Sequence, residues 1–113
     1  MDRINQYEKI ILEVLGKYQQ LFQSNEPAIS VRVVADRDGK HYQLLRYGWT
    51  SDMKFVHYAH FHIDIIDDKI WIQQNTTDVS IAEELERHGI KKSEIVLGVI
   101  FPYERQFTEY AAA

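Results

Sequence analysis

The sequence predicts an α+β domain: an antiparallel β-meander of four to five strands, with a long N-terminal helix and a short helix after strand four. Three observations lead there. Apolar residues recur at helical spacing up to Leu21, they alternate with polar ones from Ile29 onward, and short turn-forming stretches such as Asp38-Gly39 separate the alternating runs. At 113 residues the chain can enclose one hydrophobic core, so residues 1–113 read as a single domain.

Ile4, Tyr7, Ile11, Val14, Tyr18 and Leu21 lie three or four residues apart, which places them on one stripe of a helix from about Arg3 to Gln23. Leu15 and Phe22 widen the stripe. Asp2 is suited to cap it, and Pro27 ends it, because the residue before a proline avoids the α conformation. Ile29, Val31, Val33 and Ala35 then alternate with Ser30, Arg32 and Asp36 in a first strand, and His41 to Trp49 forms the second. A third strand is expected from Phe55 to Ile66 and a fourth from Lys69 to Gln74, and the short connections make neighbours antiparallel. Ser80 and Glu83 have capping-box spacing at the start of a second helix, edged by Ile81 and Leu85 and stopped at Gly89-Ile90. Ile95 to Val99 reads as a short final strand, which Phe101-Pro102-Tyr103 breaks.

Composition narrows the function. The absence of cysteine excludes disulfides, zinc ribbons and thiol chemistry. No run reaches the roughly 18 apolar residues of a membrane span, and Met1 to Gln6 does not resemble a secretion signal, so a cytoplasmic location with no membrane partner is expected. The net charge of −4 disfavours a protein whose task is gripping phosphate backbone. A local DNA contact through Arg32, Arg37 and Lys40 is the alternative, with Lys91, Lys92 and Arg105 as a second basic set, although neighbouring acids interrupt both. The glycines do not cluster into a phosphate loop, and the serines occupy helix ends, turns and strand edges rather than a nucleophile elbow. No catalytic residue and no cofactor is therefore assigned.

The hairpin of the third and fourth strands is the best-defined feature. With Asp67-Asp68 as a two-residue turn, Ile65 faces Ile70 and Ile63 faces Ile72 on a core side. The other side sets Asp64 opposite Trp71, His62 opposite Gln73 and His60 opposite Asn75, and these six residues form the expected partner-binding face. The turn lacks the glycine usual at the position of Asp68, so the register depends on how these two aspartates are accommodated. His60, His62 and Asp64 occupy alternate positions, as metal ligands on a strand can, and His41 can add a fourth donor. A metal-dependent enzyme built on His60, His62 and Asp64 is an alternative reading, while the preferred one has these side chains hydrogen-bonded to Gln73, Asn75 and Trp71 or placed at an interface. Tyr42, Tyr47, Trp49, Tyr58 and Trp71 put aromatics on both parities of the strands, which suggests a helix on one sheet face and a second subunit on the other, hence a homo-oligomer.

The run His62-Ile63-Asp64-Ile65, then Lys69 to Asn75, then Ile81-Ala82-Glu83-Glu84-Leu85 resembles the XisI family. His41-Tyr42-Gln43-Leu44, Gly48-Trp49, Glu94 to Gly98, Pro102-Tyr103 and Arg105 to Thr108 resemble it at matching places, so the similarity runs from about Ile4 to Tyr110. Asp67-Asp68 departs from the Asp-Gly of the family pattern. The resemblance implies the fdxN element excision controlling factor, a cyanobacterial regulatory protein required, with XisH and a separate recombinase, for a programmed DNA rearrangement in heterocyst development. It further implies that the recombinase breaks the DNA, that this chain contributes no catalytic residue, and that it works by protein-protein interaction with a XisH-like partner.

Overall fold

Asp2 starts the first helix by accepting the Ile4 backbone N–H on Oδ1 at 2.9 Å. The computed structural model describes residues 2–113. Helix α1 spans Arg3–Leu21 and buries Tyr7, Ile10, Ile11, Val14, Leu15 and Tyr18. Leu21, expected on that stripe, is 64% exposed, because Phe22, one turn after Tyr18, takes the place against Phe61 and His60 instead, while Ile10 joins the core.

Strands β1 (Ile29–Asp36), β2 (His41–Trp49), β3 (Phe55–Ile66) and β4 (Lys69–Asn75) follow, then helix α2 (Ile81–Arg87) and strand β5 (Ile95–Leu97). The sheet order is β1-β2-β3-β4-β5. The first four strands form the expected antiparallel meander, but β5 lies parallel to β4, with Ile70 opposite Ile95. The cause is α2: a helix between two strands carries the chain back to the end of the sheet from which β4 began. Ser80 Oγ accepts the Glu83 N–H at the start of α2. At its end Gly89 adopts φ 98°, and Ile90 N–H reaches the Leu85 carbonyl while Gly89 N–H reaches that of Glu86, which together close the helix in a Schellman motif.

The β3–β4 hairpin does turn at Asp67-Asp68. Both residues adopt left-handed φ, 51° and 62°, the pattern of a type I′ turn made without glycine. Ile65 therefore faces Ile70, Asp64 faces Trp71 and Ile63 faces Ile72. Beyond these pairs the register slips. Gln73 is an extra residue in β4, so His62 pairs with Gln74 and Phe61 with Asn75, not His62 with Gln73 or His60 with Asn75. On its other edge β3 has its own bulge: Leu44 faces Phe61 and Leu45 faces Ala59, leaving His60 unpaired between them.

One sheet face is core, where Tyr42, Leu44, Phe61, Ile63, Ile65, Ile70 and Ile72 pack against the apolar sides of α1 and α2. Two buried carboxylates fasten the helices. Glu8 accepts the Tyr42 hydroxyl at 2.6 Å and Arg37 through Nε and an amino group, and these bonds, Arg37 first and Tyr42 next, hold its carboxyl below the usual glutamate range. Glu84 on α2 accepts Lys17 and Tyr18 from α1, and Lys17 foremost lowers its carboxyl in the same way. No helix among the described residues is long and apolar enough to cross a membrane.

Candidate functional site

Neither α1 nor α2 lies on the second face of the sheet, but over β4 that face meets the C-terminal segment, where Arg105 of the short 3-10 helix Pro102–Phe107 covers Trp71. Alternation along β2 sends His41, Gln43, Leu45, Tyr47 and Trp49 to that face, opposite in direction to Tyr42 and Leu44. From β3 it receives His62 and Asp64, and from β4 Trp71 and Gln73. Most of these side chains are half-buried, shielded by one another and, at Trp71 and Gln73, by the C-terminal segment at Gly98 and Arg105. At the far end Trp49 and Phe55 are 54% and 57% exposed, with ring centroids 5.3 Å apart.

The centre of the face is a polar cluster drawn from four segments. His41 Nδ1 lies 2.7 Å from Asp64 Oδ1, and His62 Nε2 lies 3.1 Å from His41 Nδ1 and 3.2 Å from Asp64 Oδ1. Gln43 sets its amide 2.6 Å from His41 Nε2, and Gln73 donates from Nε2 to Asp64 Oδ2 at 3.3 Å. The Arg105 guanidinium sits over the Trp71 ring at 5.0 Å, held there by bonds from Arg105 to the carbonyls of Ile100 and Gly98. Gly98 makes this close approach workable, since a Cβ at that position would meet the Gln73 amide oxygen.

Of the six residues expected on the partner face, His62, Asp64, Trp71 and Gln73 are brought together here, but His60 and Asn75 are not. His60 lies on the helix side, only 8% exposed, with its ring 4.8 Å from that of Phe22 and 5.2 Å from that of Tyr58. Its bulge breaks the alternation that would have aligned it with His62. Neither ring nitrogen has a hydrogen-bond partner, and burial, aided by the charge of Arg46, makes this imidazole harder to protonate than usual. Asn75 serves the β4–α2 connection, donating to the Val79 carbonyl at 2.6 Å and accepting from the Thr77 backbone and hydroxyl. The expected metal trio His60, His62 and Asp64 is thus not assembled, and His41 occupies the third place. Gln43 and Arg105 join the cluster without being expected there, Arg105 having been read as part of the second basic set. Gln43 was legible as a polar residue two positions from His41 on the same strand, whereas Arg105 meets Trp71 through a tertiary contact with no local signature.

The chain matches the model of the XisI protein family over residues 1–112. It belongs to the XisI family. Among solved structures it is similar to a XisI-like protein from Anabaena variabilis ATCC 29413, at 35% identity and a TM-score of 0.92, covering 97% of this chain and 99% of that one. It is also similar to the fdxN element excision controlling factor XisI from Anabaena variabilis ATCC 29413, at 31% identity and a TM-score of 0.85, covering 99% and 100%. No curated protein matches. In this XisI-family chain the candidate DNA contacts are divided: Arg32 projects from β1 on the open face, while Arg37 is bound to Glu8 at 2.7 Å from its guanidinium. From the second basic set, Lys92 pairs with Glu86 at 2.8 Å and Arg105 covers Trp71.

Proposed function

We propose that this protein is a non-enzymatic accessory factor controlling excision of a DNA element, and that it acts by docking the open sheet face on a XisH-like protein, leaving strand cleavage to a separate recombinase. The observation that carries the reading is the correspondence over nearly the whole chain to the Anabaena excision controlling factor XisI, with a TM-score of 0.85. The open face supports a protein rather than a DNA partner. It presents the exposed Trp49 and Phe55, and a half-buried Trp71 beneath Arg105, residue types enriched at protein interfaces, on a chain of net charge −4. Arg37 is bound to Glu8, so the basic set closest to that face is reduced. Any DNA contact in this reading is indirect, and the exposed Trp49 and Phe55 end is the part of the face suited to a second copy of the chain.

The test is a pull-down of a XisH-like protein with the full chain, repeated with Trp71→Ala and Trp49→Ala, beside an excision assay in cells carrying the element. Trp71→Ala should weaken capture and reduce excision together. Capture and excision both unchanged by the variants, or no capture by the parent chain, would refute the reading.

A further inference from the structure

We infer that His41, His62 and Asp64 form a binding site for one zinc-type divalent metal ion on the open sheet face, with a coordination position left facing outward. The inference rests on the geometry of three atoms and does not depend on the identity of any partner. His41 Nδ1, His62 Nε2 and Asp64 Oδ1 make a closed triangle with edges of 2.7, 3.1 and 3.2 Å.

Hydrogen bonding alone cannot satisfy such a triangle. Each edge requires one donor and one acceptor, and three atoms in a ring cannot alternate between the two roles. If both imidazoles donate to the carboxylate oxygen, two N–H groups confront one another across the edge between His41 and His62. If one imidazole donates, the lone pair of the other faces the carboxylate. A protonated carboxyl can donate to one ring and accept from the other, but two hydrogens are then shared among three edges. A cation removes the conflict, because all three atoms then offer lone pairs to one centre.

The dimensions suit a small ion. Bonds of roughly 2.0–2.1 Å in a tetrahedron place ligand atoms about 3.3 Å apart, close to the two longer edges found here, so the triangle needs to open only slightly along the bond between His41 and Asp64. Two imidazoles and one carboxylate are a donor set suited to zinc and related transition metals. The surroundings match those of metal ligands in another respect, since ligating histidines and carboxylates are held by outer partners. Gln43 stands 2.6 Å from His41 Nε2, and an amide that turns its oxygen to that atom accepts Nε2–H and leaves the Nδ1 lone pair for the metal. Gln73 holds the second oxygen of Asp64. All three ligands come from paired strands β2 and β3, and His41 and Asp64 are directly opposed in the register, which gives the triad a rigid base. The donor side chains remain 20–36% exposed, so an ion can reach them.

The test is calorimetric titration of zinc chloride into the full chain, free of any affinity tag and first stripped with chelator, together with thermal melts and the visible spectrum of the cobalt(II) form. Binding of one zinc per chain, a raised melting temperature and a cobalt spectrum with intense d–d bands are expected. His62→Gln and Asp64→Asn, each checked for folding by circular dichroism, should weaken binding at least about a hundredfold, the upper end of what loss of an outer partner alone costs. His57→Ala, on the same face but outside the triad, should bind zinc as the parent does. Gln43→Ala should lower affinity about tenfold or more, as expected of an outer partner. No saturable binding by the parent chain would overturn the inference, as would undiminished binding by folded His62→Gln and Asp64→Asn, or loss in His57→Ala equal to theirs.

Discussion

Replacing Asp68 by glycine should stabilise the protein, whereas replacing it by alanine should not. Asp67 and Asp68 hold φ of 51° and 62°, and the second position of such a turn is the one glycine favours most. The left-handed region costs a residue bearing a Cβ about 1–2 kcal/mol. Glycine returns about 0.5–1 kcal/mol of that through the greater freedom of its unfolded chain. Asp68→Gly should therefore exceed Asp68→Ala in stability by about 0.5–1 kcal/mol, with the parent between them, because a short polar side chain tolerates this region better than a methyl group. Among the described residues Asp68 is tied to α1 through its carbonyl, which accepts the Tyr7 hydroxyl and survives both substitutions. Urea unfolding measures the effect as a shift in midpoint at constant slope. Equal stability of the two variants would show that Asp68 is not in a left-handed turn. The hairpin would then have another register, and the grouping of Asp64 with Trp71 would fall with it.

Glu8→Gln replaces a buried carboxylate that accepts Tyr42 and Arg37, and should cost about 1.5–3 kcal/mol in urea unfolding, the scale of hydrogen bonds to charged groups. Because the folded Glu8 carboxyl is depressed, its contribution is complete above the ordinary glutamate value of about 4.3 and is lost as pH falls through the lower folded value, so Glu8→Gln should show a shallower loss of stability in acid. His60 acts on a different window: its folded form resists protonation, so the unfolded chain takes up the proton first as pH falls below about 6.5, and stability declines by at most about 1.4 kcal/mol per pH unit. His60→Phe, which keeps a ring against Phe22 and Tyr58, should remove that slope, and denaturation at neutral and mildly acid pH that gave the same difference for parent and variant would contradict it. The exposed Trp49 and Phe55 should support self-association that Trp49→Ser weakens, and light scattering that found a monomer at micromolar concentration would reject this.

Element positions were legible to within a few residues because each depends on local chemistry. Asp2 and Ser80 cap the helices, Gly89 stops the second, and alternation from Ile29 marks the first strand. The parallel placement of β5 was not legible, since three residues hold no information about direction and the crossover through α2 decides it. The site was half legible. His62, Asp64, Trp71 and Gln73 lie on the face that alternation assigned them, because that stretch is governed by the turn and the isoleucine pairs. His60 and Asn75 leave that face because His60 is itself the bulged residue of β3 and Asn75 lies past the bulge at the end of β4, where counting by twos no longer reports direction. A trace of the first bulge exists in the sequence: odd positions Phe61, Ile63 and Ile65 are the core residues near the turn, yet Tyr58, on the helix side, is even.

The bulges mark the limits of the polar cluster. Between the hairpin turn and His60 the pairing of β2 with β3 is regular, so His41 stands opposite Asp64 and Gln43 opposite His62, all on the open face. At His60 the extra residue turns the next imidazole toward Phe22 and the helix side, which removes it from that face. On the other edge of β3 the extra residue Gln73 leaves Gln74 to pair with His62, and the Gln73 side chain reaches Asp64 instead. Strict alternation would have set His60, His62 and Asp64 in a line along one strand, where alternate side chains stand about 7 Å apart. Two neighbours such as His62 and Asp64 can still converge across that spacing, but the outer pair of three in a line stand about 14 Å apart, too far to share one centre. The cross-strand pair supplies the missing closeness, bringing two imidazole nitrogens and a carboxylate oxygen within 3.2 Å of one another. Zinc affinity should therefore depend on His41 and be indifferent to His60. His41→Gln should weaken calorimetric zinc binding about a hundredfold, like the other ligand substitutions, whereas His60→Phe, which keeps the ring packed against Phe22, should bind as the parent does. The opposite pattern, with binding lost in His60→Phe and kept in His41→Gln, would mean that the ligands lie along one strand and that the bulge in β3 is not where the register places it.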